Sequence, residues 1–157
     1  MTPDGISTED WSEVHELAVE VVNLSADGDE PASGAARRRL LALLDGLSKQ
    51  YGPLPSLLAT RADYVEDDGE REYWLLAGYD EALRRGDSKN LTLIAHSLAQ
   101  LYVESRPTSV EAARWLDHLE KHLAVYSDDH EANDLSRLRT LVSSANAALS
   151  RERETLE

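Results

Sequence analysis

The chain has 157 residues and a formal net charge of −14; 41% of its residues are hydrophobic and 29% charged. That length suits one domain or a short repeat array with a real core. The absence of cysteine excludes disulfide frameworks, thiolate zinc sites and cysteine nucleophiles. The 16 bases facing 30 acids argue against nucleic acid as a partner, because phosphate neutralisation needs clustered Lys and Arg. No apolar run approaches the ~20 residues that span a bilayer. Met1-Thr2-Pro3-Asp4-Gly5 also lacks the basic and apolar regions of a signal peptide. A cytoplasmic protein without a membrane partner is expected. Leu (25) and Ala (19) dominate, whereas Ile contributes two residues and Phe none. This balance favours helix over strand, so the expected class is all-α.

In chain order, Ser7 or Thr8 caps a first helix running to about Leu24, with Glu9 and Asp10 in its first turn. Trp11, Val14, Leu17, Ala18, Val21 and Val22 recur at three and four residues and share its expected buried face. Residues 25–34 read as a turn-rich linker. A second helix spans about Ala35–Tyr51, buries Leu40, Leu43, Leu44 and Leu47, and stops at Gly52-Pro53. Pro55 starts a short helix, Ser56–Val65, which Asp67-Asp68-Gly69 breaks. The spacing predicts further helices over about Glu70–Arg85, stopped by Gly86, and Lys89–Ser105, capped by Asp87 or Ser88. A sixth, capped by Thr108 or Ser109, reaches Tyr126; a seventh, capped by Asp128 or Asp129, runs from His130 towards Ser150. The tail 151–157 is expected to fray. The organisation is thus a single domain over 1–157: an acidic helical pair (1–52), a helical-hairpin array (53–150) and the tail.

The charge is uneven. Residues 1–30 hold nine acids and no Lys or Arg, residues 31–61 carry a net +4, and residues 62–72 a net −5. Glu9, Asp10, Glu13, Glu16 and Glu20 fall mainly away from the apolar face of the first helix. Two readings stand: a solvated face that aids solubility, or a docking surface for a basic protein partner.

Tyr64-Val65-Glu66 recurs as Tyr102-Val103-Glu104, 38 residues later, and Trp74-Leu75 as Trp115-Leu116, 41 residues later. In each copy a helix ends near Tyr-Val-Glu and the next helix presents Trp-Leu, as in a stacked helical array. Leu98-Ala99 followed by Tyr102, then Ala112 and Leu116, resembles the tetratricopeptide-repeat superfamily. Gly86-Asp87-Ser88 sits where such repeats turn, and the resemblance covers residues 56–127. It implies antiparallel helical hairpins stacked as a short solenoid of six or seven helices. It implies no ligand residues, and Arg61 stands where the earlier copy would carry a small side chain.

Catalytic constellations are scarce. There is no phosphate-binding loop and no dinucleotide fingerprint. His96-Ser97 lies in a helical pattern without a nucleophile elbow, and Asp63–Glu72 fails the calcium-loop pattern at Val65 and Asp68. His118 and His122, four apart on one helix face, could chelate zinc if His130 or a neighbour of Asp117 supplied a third ligand. Histidines at the edge of a buried stripe are commoner, and His15 and His96 are read as boundary or packed residues. Trp11, Trp74 and Trp115 are read as core. The basic run Arg37-Arg38-Arg39 could pair with the first helix or with Asp63–Glu72, or take a phosphate, for which no supporting motif is present. Leu135, Leu138, Val142, Ala145 and Leu149 form a two-heptad seam, suited to packing on the sixth helix or to a homodimer.

The leading expectation is a non-enzymatic protein–protein interaction module without cofactor or bound metal. Its partner-binding residues would be Glu9, Asp10, Glu13, Glu16 and Glu20. The alternatives are an acidic inhibitor of the immunity type that masks a basic enzyme, and a metal-dependent hydrolase built on His118 and His122.

Overall fold

A computed structural model describes residues 1–155. Its elements are α1 (Thr8–Ala26), α2 (Glu30–Tyr51), α3 (Pro55–Tyr64), α4 (Asp68–Arg85), α5 (Ser88–Ser105), α6 (Val110–Leu123) and α7 (Asp129–Glu154). The all-α expectation holds, with no strand among the described residues. The chain divides into two compact units, Met1–Asp87 and the part from Ser88 onward. The division falls within the span read as one hairpin array. Gly86 marks it: at φ 65° it takes the left-handed conformation that ends α4.

Side-chain caps set most helix starts. Ser7 Oγ accepts from the Asp10 amide at 3.1 Å, Asp67 from Glu70 at 2.8 Å, and Ser109 from Ala112 at 3.1 Å. Asp128 accepts from both His130 and Glu131. Each satisfies an amide that the first turn would otherwise leave without a partner.

Two boundaries differ from the sequence reading. The expected linker 25–34 shrinks to Asp27–Asp29, because α1 continues to Ala26 and Asp29 caps α2 through the Ala32 amide. Pro31 lies in the first turn of α2, where its missing N–H costs nothing. At the other end, α7 extends through Arg151 to Glu154, so the expected fraying tail is helical that far; Leu156 and Glu157 lie outside the described residues.

In the first unit α1 packs on α2, α2 on α3 and α3 on α4. Ile6, Val14, Leu17, Leu40, Leu44, Leu47, Leu54 and Leu57 form one core, with Trp11, Tyr51 and Tyr64 packed partly against it. The segment before α1 belongs to this unit. Ile6 is fully buried, and Thr2 fixes it through its hydroxyl, which accepts from the Ile6 amide at 2.8 Å. The Asp4 carboxylate accepts from the Ser56 amide at 2.8 Å. It thereby caps α3 from a distance, since Leu54 at the N-cap offers no side-chain acceptor. Asp4→Ala should lower stability by about 1 kcal/mol in urea unfolding; an unchanged midpoint would show that the cap contributes nothing.

In the second unit α5 packs on α6, and α7 contacts both. Leu91, Ile94, Leu98, Leu101 and Tyr102 of α5 and Trp115, Leu116 and Leu119 of α6 are buried, whereas α7 buries only Glu131 and Leu138. Leu135, Val142 and Ala145 of the expected seam are half-buried, and Leu149 is exposed. The seam's first half therefore packs within the unit. Trp115 is core, as read from the sequence, and Trp11 is partly so. Trp74 is half-buried too, with the Arg61 guanidinium 4.6 Å from its ring centroid and Tyr73 set edge-on at 5.0 Å. No helix among the described residues is long and apolar enough to cross a membrane.

Candidate functional site

Glu9, Glu13, Glu16 and Glu20 follow one another at four, three and four residues, so they form one stripe along α1. Glu9, Glu13 and Glu16 are exposed, and no described Lys or Arg pairs with them. The other two expected site residues are engaged by α2. Arg39 Nη1 donates to Glu20 at 3.0 and 3.2 Å. The Tyr51 hydroxyl donates to Asp10, which also accepts from Gln50 at 3.4 Å. The Tyr51 bond, helped by Ser7, holds the Asp10 carboxyl below its ordinary value. Asp10 and Glu20 thus tie the first hairpin together, and three carboxylates remain to act outward. The basic run pairs within the molecule: Arg39 takes Glu20, and Arg37 takes Glu66 in the acidic stretch Asp63–Glu72.

Another face of α1 carries apolar side chains, among them Val22, which the periodicity placed on the buried face. Val14, Leu17 and Val21 are buried, but Val22 is 59% exposed and Val19 43% exposed. The reason is angular. The apolar arc of α1 is wider than the neighbouring helices of this unit cover, and its outer edge faces solvent. His15, Ala18, Val19, Val22 and Asn23 line a groove of about 400 Å³ that Tyr64 closes from the end of α3. A second recess of about 300 Å³ adjoins it through Val22 and Tyr64, and is bounded by Arg37, Asp63, Val65 and Glu66. No cysteine, metal-ligand pattern or nucleophile motif lies in either recess; the chemistry on offer is apolar contact bordered by carboxylates.

The second unit holds the most concentrated polar cluster. His96 of α5 places Nδ1 2.6 Å from Glu131 and Nε2 2.6 Å from Asp134, both on α7. Arg137 Nη2 donates to Asp134 at 3.1 Å, and the His130 ring lies 6.2 Å from that of His96. Burial opposes the charge on His96, but hydrogen bonds and attraction from Glu131 and Asp134 outweigh it and raise its proton affinity. Arg137, followed by His96, pulls Asp134 down to about 2. The imidazolium form donates from Nε2 to Asp134 and sets its charge against the Glu131 carboxylate at Nδ1. His96 is packed, as its place in the helical pattern implies, and the carboxylates of Glu131 and Asp134 grip it. Glu131 and Asp134 stand three apart on one face of α7, which was a readable signal, but their partner on α5 was not.

His118 and His122 stack on α6 with ring centroids 6.4 Å apart, and Trp115 lies 5.0 Å from His118. Burial lowers the proton affinity of both; Lys121 and Arg114 add to the effect at His118, and His118 adds to it at His122. His130, the suggested third ligand, lies by His96 instead. Among the described residues no group of three or more His, Asp or Glu side chains is placed to hold a metal ion.

Beside this geometry, comparison with known proteins is silent: no protein-family model, no curated protein and no solved structure matches the chain.

Proposed function

We propose that the chain is a non-enzymatic protein-interaction module whose first helix presents a carboxylate face to a basic protein partner. The observation that carries this reading is the outward stripe of Glu9, Glu13 and Glu16, exposed and without an intramolecular cation among the described residues. Like charges aligned on one face repel one another and project a field that speeds encounter with a cation-rich surface. Where the fold needed a carboxylate for its own cohesion, it paired it, as at Asp10 and Glu20. The two recurring hairpins, α3–α4 and α5–α6, support a tetratricopeptide-like character: Leu75 and Leu116 occupy matching buried positions in them. A cytoplasmic location belongs to the same reading.

The test is charge reversal. A triple variant, Glu9→Lys, Glu13→Lys and Glu16→Lys, should keep the helical circular-dichroism spectrum, because all three side chains lie in solvent. Its affinity for a basic partner recovered from the source cell's lysate should fall by about tenfold or more, chiefly through slower association. The salt dependence of binding should flatten in parallel. Unchanged affinity and an unchanged salt response would contradict the proposal.

A further inference from the structure

We propose that Glu131 and His96 form a proton-gated latch: loss of one proton from His96 releases the start of α7 from an α5–α6 hairpin that stays folded. This inference is independent of the reading of α1. Its ground is the way α7 is attached. Over 26 residues α7 buries only Glu131 and Leu138, so one of its two buried side chains is a carboxylate. By contrast, α5 and α6 pack on each other far more extensively than α7 packs on either. Among the described residues, every buried apolar side chain of this unit except Leu138 belongs to that pair. The hairpin therefore has a core of its own, and α7 depends on the charge cluster at its first turns.

The two carboxylates facing His96 are held differently. Asp134 takes a hydrogen bond at Nε2 and another from Arg137, so it keeps a cation when the ring is neutral. Glu131 Oε2 lies 2.6 Å from Nδ1 yet accepts no hydrogen bond, and Glu131 is 6% exposed. The ring's positive charge is its only cation among the described residues. A neutral imidazole has one N–H and one bare nitrogen, so it can donate to one carboxylate only. With Nε2 committed to Asp134, the proton leaves Nδ1 for solvent, and the lone pair left there faces a buried carboxylate. Neighbouring groups do not relieve that contact. The charges that act on His96 are Glu131 and Asp134, and α6, which packs on both α5 and α7, adds none. The His130 ring stands 6.2 Å away, and Arg137 is turned to Asp134 with Glu104 acting on it from a distance. His96 has its proton affinity raised above the ordinary 6.5, so the latch is closed below that pH and opens as pH rises through the folded value.

The experiment is amide hydrogen exchange by mass spectrometry on the full chain, from about pH 6 to about pH 9, with labelling times scaled to the intrinsic rate at each pH. Protection over Asp129–Leu138 should fall by about tenfold across this range, while peptides from α5 and α6 keep theirs. Glu131→Gln removes the charge that the neutral ring strands, and should leave α7 equally protected at both ends of the range. Asp134→Asn leaves Glu131 in place and should retain the fall. A proton–nitrogen correlation spectrum of the His96 ring in the parent chain needs no variant to fold; it should show Nδ1–H lost and Nε2–H kept at high pH. Flat protection in the parent, an undiminished fall in Glu131→Gln, or a fall abolished by Asp134→Asn would overturn the latch. So would an Nδ1–H tautomer at high pH. Loss of protection in α5 and α6 together with α7 would overturn it as well, because that is unfolding of the whole unit and not release of one helix. None of these outcomes bears on the carboxylate face of α1.

Discussion

Replacing His96 by alanine should destabilise the α5–α7 contact by about 3–5 kcal/mol, because it strands buried carboxylate charge. Glu131 is 6% exposed and Asp134 only partly accessible, and His96 faces both. Arg137 still serves Asp134 in the variant, but Glu131 loses the cation 2.6 Å away. The consequence falls on α7, whose buried residues are Glu131 and Leu138 alone. Amide hydrogen exchange over α7 should accelerate accordingly, with little change in α1 and α2; exchange that stays as slow as in the parent would show that the cluster is not what holds α7. The same cluster sets a pH dependence. His96 has its proton affinity raised above the ordinary 6.5 in the folded chain. Its contribution is therefore fully present below pH 6.5 and fades as pH rises through the folded value. Asp134 is lowered from 3.8 to about 2, so its contribution is present above 3.8 and is lost only as pH falls towards 2. The hold on α7 should be strongest between these limits. His96→Gln, which cannot titrate, should remove the loss on the alkaline side.

Leu40→Ala should cost the first unit about 2–5 kcal/mol, the range for a fully buried leucine whose cavity does not collapse. Leu40 is at 0% exposure in the core that joins Ile6, Val14, Leu17, Leu44 and Leu57. Urea unfolding should show an earlier midpoint with an unchanged slope. The informative contrast is Val22→Ala on the neighbouring helix, which should stay within about 0.5 kcal/mol because Val22 faces solvent. Comparable losses at the two positions would mean that Val22 belongs to the core and that the groove is closed.

Local signals in the sequence were sufficient for most of the helices. Ser7, Ser109 and Asp128 cap as their side chains suggest, and Gly52 and Gly86 end helices with positive φ. The failure at residues 25–34 came from composition: Asp29-Glu30-Pro31 resembles a linker, yet the same three residues are a cap and a first turn. What the sequence could not show depends on distant partners. Asp4 meets Ser56, 52 residues on, and His96 meets Asp134, 38 residues on, and no periodicity encodes either pairing. The acidic face was visible as a stripe, but its division was not. Only packing against Arg39 and Tyr51 separates Glu20 and Asp10 from the three outward carboxylates. Likewise, periodicity placed Val22 with Val14 and Val21, and only the width of the covering helices decides which of them is buried.

Zero-length cross-linking with a carbodiimide reads directly where a partner touches α1, since it joins a carboxylate only to an amine in contact. The complex recovered from lysate, cross-linked and mapped by mass spectrometry, should show partner lysines joined to Glu9, Glu13 and Glu16, with Asp10 and Glu20 spared. Cross-links confined to carboxylates of the second unit, such as Asp117 and Glu120, would contradict it.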